Sequence, residues 1–176
     1  MSEDAIPEPD RVEGAPHPRE TARIFGQDAA ERAFLDVYGS GRLHHGWLLT
    51  GPHGVGKATL AWRIARFLLA MPESGGGGLF GDGPDVPATL DIAPDHPVAR
   101  RLAAGSEGRL FHLRRAWDAE KKKLKTVITI DEVRKLKSFL SLSSADGGRR
   151  VVIVDSADEM NPNAANALLK LLEEPP

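Results

Sequence analysis

At 176 residues and 41% hydrophobic, the chain supports one α/β domain with a packed core and leaves little for a second. The formal charge of −2 hides an acidic start and a basic middle (Arg100, Arg101, Arg114, Arg115 and Lys121 to Lys123), so net charge does not decide whether nucleic acid is a partner. The absence of cysteine excludes a disulfide framework and any cysteine-based zinc site; no apolar run is long enough to span a bilayer, and the expected setting is the cytoplasm, away from membranes.

Residues 1–20 combine acidic side chains with four prolines and almost no large apolar groups, which predicts a disordered tail. From Thr21 onward, in residues 21–176, a single nucleotide-binding-type domain is expected. Ala29, Ala30, Ala33, Phe34, Val37 and Tyr38 recur at helical spacing until Gly39 and Gly41 end the pattern. "WLLT" at 47–50 reads as a short buried strand leading into a glycine-rich loop. Leu60, Ile64, Phe67 and Leu68 then predict a helix from Lys57 to Ala70, which Pro72 prevents from continuing. The Gly/Pro-rich stretch 72–108 is expected to be a flexible insertion.

Further on, "RLFHLRR" and "KTVITI" flank a charged turn and read as two strands of a hairpin. Asp131 is the expected cap of a helix that carries Val133, Leu136, Phe139 and Leu140 on one face. "VVIVD" is the clearest buried strand, and Asn161 followed by Pro162 opens a last helix. Alternating strands and helices predict a mainly parallel sheet with helices on both faces.

The loop "GPHGVGKAT" carries the chemistry. A phosphate loop works because glycines let backbone N–H groups turn toward an anion at a helix N-terminus, where the macrodipole adds its positive end. Gly51, Gly54 and Gly56 supply that freedom, and Lys57 is placed to reach the β- and γ-phosphates of a nucleotide such as ATP or ADP. Ala58 stands where the pattern calls for a metal-binding hydroxyl. Thr59 is one helical step away, about 100° round the axis, and suits a phosphate contact better than a metal. Asp155 ends the later strand with the carboxylate expected beside Mg²⁺, but Ser156 follows it where a water-polarising glutamate would serve hydrolysis. Binding parts are thus kept and hydrolytic parts lost, so a bound nucleotide is expected to be weakly held or structural, and Mg²⁺ is poorly provided for.

"NALLKLLEEPP" at 166–176, "VVIVDSADEMN" before it, "GRLHHGWLLTGPHGVGKATLA" and an early "FGQ" together resemble the clamp-loader branch of the AAA+ superfamily. Within that branch they are most similar to the delta-prime family of bacterial DNA polymerase III. The resemblance runs from about Phe25 to the last residue. It implies a parallel-sheet, RecA-like P-loop NTPase domain and membership of a five-membered ring with delta and tau or gamma subunits. Such a ring loads the sliding clamp onto primed DNA. In this family delta-prime is generally a non-hydrolysing stator that lends an arginine finger to a neighbour. The resemblance assigns Gly51, Gly54, Gly56, Lys57 and Thr59 to the loop, Asp155 to the degenerate second motif, and Gly26 and Gln27 to the neighbourhood of the adenine pocket. It departs from the family in two respects. Stretch 72–108 lacks the four cysteines of the zinc module that many relatives carry, so zinc is not expected. The family's last sheet strand, lid and collar follow "LEEPP", so the chain is expected to be a fragment of a longer polypeptide.

Other features have plainer readings. His44 and His45, adjacent in sequence, are expected to point apart and to have surface or packing roles. The basic middle reads as a solvated face, and Trp47, Trp62 and Trp117 as core or subunit contacts. Three functions remain open at this stage: a structural clamp-loader subunit, an active ATPase motor of the same assembly, and a P-loop kinase for a small metabolite. The kinase is disfavoured because "NALLKLLEEPP" has no role in it.

Overall fold

The computed structural model describes residues 7–71, 87–141 and 148–175. In chain order the elements are α1 (Asp28–Gly39), α2 (Lys57–Ala70), α3 (Pro97–Ala103), β1 (Leu110–Leu113), β2 (Trp117–Asp118), β3 (Lys123–Leu124), α4 (Ile130–Ser141), β4 (Val151–Val154), a 3-10 turn (Ala157–Glu159) and α5 (Pro162–Glu173). β1 and β4 pair in parallel, from Leu110 opposite Val151 to Leu113 opposite Val154, with α4 in the crossover.

Strand alternation distributes this pair between two layers. Ile153, Val151 and Leu110 meet Trp62, Ala65 and Leu69 of α2 and Val98 and Leu102 of α3. Phe111, Leu113, Val152 and Val154 meet Val133 and Leu136 of α4 and Ala164 of α5 on the other face. A third cluster joins Phe34 and Leu35 of α1 to Leu60 and Phe67 of α2 and to Leu90. Helix α2 therefore packs on two sides, which explains why even Arg63 and Arg66 on it are buried. The α/β arrangement with helices on both faces of a parallel pair is the one expected for the clamp-loader fold.

Several expectations need correction. "KTVITI" is not the hairpin partner of β1: the hairpin is the antiparallel pair β2–β3, and Ile128 forms an isolated parallel bridge to Met160 instead. β1 buries both its faces next to β4, Leu110 against α2 and α3 and Phe111 and Leu113 against α4 and α5. Residues 47–50 form no strand among the described residues, and Leu48 is 80% exposed. The cap of α4 is not Asp131, whose carboxylate pairs with Arg134 at the surface. Thr129 and Glu132 close the helix start: the Thr129 amide and hydroxyl both donate to the Glu132 carboxylate, and the Glu132 amide donates to the Thr129 carbonyl.

The expected insertion 72–108 lies partly outside the described residues, but 87–108 is an ordered part of the core, with Leu90, Val98 and Leu102 buried and α3 packed on α2. Its few large apolar side chains all point inward. Residues 7–20 depart from the expected tail. Glu8 and Asp10 are held by Arg114, the Arg19 carbonyl accepts from Arg66 at 2.7 Å, and His17 is fully buried. This segment is secured by ion pairs and one imidazole rather than by apolar area, which composition alone does not reveal.

Candidate functional site

The glycine-rich loop opens α2 as expected. Gly56 is the residue before the helix, in left-handed conformation at φ 95°, and no side chain caps the helix start. A Cβ added there would meet Ile24 Cδ1 at 3.0 Å, so the conformation favours glycine and any larger residue also needs the Ile24 side chain to give way. Gly51, Gly54 and Gly26 also have positive φ. Gln27 joins the two ends of the site by donating from Nε2 to the Val55 carbonyl at 3.0 Å. Lys57 Nζ donates to the carbonyls of Gly51 and Pro52 at 2.9 and 2.8 Å, folding its cation back over the loop. Gly26, Gln27, Gly51, Gly54, Gly56 and Lys57 are thus one local assembly, with Thr59 in the first turn of α2 and Ala58 beside it. Backbone donors at a helix start and a loop cation suit a phosphate group.

Asp155 belongs to different surroundings. It directly follows β4, and alternation puts it on the α2 side with Ile153. His112 shares that side, its ring standing edge-on to Trp62 at 5.1 Å. His112 Nε2 lies 3.9 Å from Asp155 Oδ2 and 3.9 Å from Asp10 Oδ2. The His17 ring also meets Trp62 edge-on, at 5.9 Å, and its Nε2 is 2.6 Å from Asp10 Oδ2. Burial, followed by the nearby carboxylates of Asp10 and Glu159, raises the Asp155 carboxyl above its ordinary value. Burial, offset only in part by Asp10, pushes the His112 imidazole down to about 4 and also lowers His17.

Among the described residues, the loop residues are joined by hydrogen bonds to one another, while Asp155 lies beside His112 and Asp10. Lys57 and Asp155 share no hydrogen bond or ion pair among the described residues. The loop's backbone and Lys57 are of the kind that suits a nucleotide's anionic end. The set expected for Mg²⁺ does not fit, because Ala58 offers no oxygen and Asp155 faces Asp10 and His112. Sequence reasoning missed Asp10, His17 and His112. The available signal was an imidazole within the apolar run "LFHL", on the same strand face as Leu110. His44 and His45 do not point apart: their rings stack at 4.5 Å, and His45 Nε2 lies 2.8 Å from the Leu172 carbonyl, a packing role at the base of α5. Of the basic residues, Arg114 is engaged by Glu8 and Asp10.

Residues 95–176 match the family described as DNA polymerase III, delta subunit. The chain is 37% identical over 131 residues to the DNA polymerase III subunit delta' of Pseudomonas aeruginosa, covering 74% of this chain and 34% of that protein. It is 25% identical over 159 residues to DNA polymerase III subunit gamma of Buchnera aphidicola subsp. Schizaphis graminum, covering 90% of this chain and 38% of that one. It is 28% identical over 159 residues to the DNA polymerase III subunit tau of Escherichia coli, covering 90% and 21%. The chain thus spans well under half the length of these relatives. On these matches, the chain is similar to subunits delta', gamma and tau of DNA polymerase III over 74% to 90% of its own length.

Proposed function

We propose that this chain is the nucleotide-binding-type domain of a delta-prime-like subunit that retains the phosphate cradle but does not itself hydrolyse ATP. It serves as a rigid stator in a cytoplasmic ring with delta and tau or gamma subunits, which loads the sliding clamp onto primed DNA. The observation that supports this reading is the residue set: Ala58 follows Lys57 and Ser156 follows Asp155, where a metal-binding hydroxyl and a water-polarising glutamate would serve hydrolysis. Gly56 in left-handed conformation at the start of α2 and Lys57 folded over the loop support a phosphate cradle, whereas Ala58 offers no metal ligand and the Asp155 carboxylate lies beside Asp10 and His112. Phosphoryl transfer depends on holding the metal and aiming the water, and losing either costs orders of magnitude in rate. ATP or ADP in the loop would be gripped by backbone amides and Lys57, without a metal ligand from residue 58.

The active-motor reading has its own support, because the gamma and tau relatives match over 90% of the chain. Phosphate release by the full-length polypeptide, alone and with its partners, separates the two. The stator reading expects that Lys57→Ala weakens ADP binding about tenfold or more while leaving a background rate of phosphate release unchanged. Magnesium-dependent turnover that disappears with Lys57→Ala would instead establish a motor.

A further inference from the structure

We infer that Asp10, His112 and Asp155, supported by His17, form a binding site for one divalent transition-metal ion of the zinc class. The site uses none of the loop residues Gly51 to Lys57 and does not depend on the proposed function. Its donors come from three parts of the chain: the N-terminal segment, the middle of β1 and the residue after β4. One oxygen or nitrogen from each of the three lies within 4.8 Å of the others. Around a tetrahedral zinc ion with bonds of about 2.0–2.2 Å, such atoms would stand about 3.3 Å apart. Side-chain movements of about an ångström would therefore close the set on an ion.

Three polar atoms at this point have no hydrogen-bond partner although they are buried: Asp10 Oδ2, His17 Nε2 and His112 Nε2. The His17 side chain is fully buried, and the Asp10 side chain is 5% exposed. The 2.6 Å separation of His17 Nε2 and Asp10 Oδ2 lacks the alignment of a hydrogen bond. Each unsatisfied buried group costs about 1–3 kcal/mol, and a cation between Asp10 Oδ2 and His112 Nε2, which stand 3.9 Å apart, satisfies those two acceptors together. Two carboxylates balance the charge of a divalent ion. An imidazole among the donors selects a zinc-like ion over Mg²⁺ or Ca²⁺, which take oxygen sets.

The surroundings hold the donors ready. Arg114 Nη1 donates to Asp10 Oδ1, leaving Oδ2 directed at the centre, and the Arg114 charge is further offset by Glu8 at 3.2 Å. The Arg19 amide donates to His17 Nδ1 at 3.1 Å, so in the neutral ring the proton sits on Nε2. His17 is thereby a close neighbour of Asp10 rather than a ligand, and a shift of the Asp10 carboxylate on binding an ion would bring its Nε2–H into line as an outer-shell donor. Trp62 touches both rings and reports on the centre. The lack of cysteine removes a thiolate module but has no bearing on this histidine–carboxylate set.

The test uses the full chain, stripped of metal and dialysed against zinc chloride. One ion per chain is expected. Asp10→Asn and His112→Gln should each weaken binding at least about tenfold with the circular dichroism unchanged, while His44→Gln should bind as the unmodified chain does. Failure to retain zinc, or equal retention by both site variants, would overturn the proposal. Should either variant fail to fold, the unmodified chain still decides. Zinc must shift the His112 imidazole resonances, and Co²⁺ must quench Trp62 and show the visible bands of a low-coordinate ion; zinc bound without a change at His112 would refute the site.

Discussion

Gly56 carries two constraints that can be separated experimentally. Its φ of 95° strains any L side chain, by about 1–2 kcal/mol in the left-handed region, and an added Cβ would also press on Ile24 Cδ1 at 3.0 Å. Gly54 has the first constraint, at φ 79°, without the second, since nothing lies within 4 Å of its would-be Cβ. Gly54→Ala should therefore cost about 1 kcal/mol in urea unfolding and Gly56→Ala about 2 kcal/mol or more. Equal costs would mean that Ile24 moves aside freely. Lys57, the next residue, spends its cation on the loop's own carbonyls, a contact that an incoming phosphate would replace.

At the scale of elements, the start of α4 has a pH-sensitive closure. Burial would raise the Glu132 carboxyl, but hydrogen bonds from Thr129 and Lys125 outweigh it and hold the group below its ordinary value. A carboxyl depressed in the folded state contributes stability that is fully present above the unfolded value of about 4.5, and the contribution is lost as pH falls through the lower folded value. Glu132→Gln keeps the capping-box shape but removes the charge. The variant should be less stable than the parent at neutral pH, and the difference should shrink in denaturant titrations carried below pH 4.5. A constant difference across that range would show that Glu132 acts through packing alone. The sequence already contained this closure as "TIDE", a threonine three residues before a glutamate, yet the adjacent Asp131 is an equally good cap by residue type. α2, α5 and β4 were legible because their signals are local: spacing of apolar residues, Asn161 with Pro162, and a β-branched run. The partner of β1 was not, since an apolar strand does not encode which neighbour it chooses.

For the whole molecule, the glycine-rich loop before α2 could be placed from sequence because its residues are contiguous in the chain, whereas the Asp10–His112–Asp155 cluster spans more than a hundred positions and exists only once β1 and β4 are paired. The same distance in sequence concealed the role of the N-terminal segment. Its anchors are polar: Arg66 Nη2 donates to the Arg19 carbonyl, Arg114 grips Glu8 and Asp10, and His17 lies against Trp62. Arg66 is only 7% exposed, so losing that acceptor leaves a buried guanidinium short of a partner. Deleting residues 1–20 should then lower unfolding stability by about 2–4 kcal/mol and expose Trp62, which is 3% exposed when the segment is docked. The readouts are the denaturation midpoint and the wavelength of tryptophan emission, which moves to the red as an indole meets water. A segment that merely trailed from the fold could be removed without changing either quantity, and that result would return residues 7–20 to the disordered tail their composition suggests.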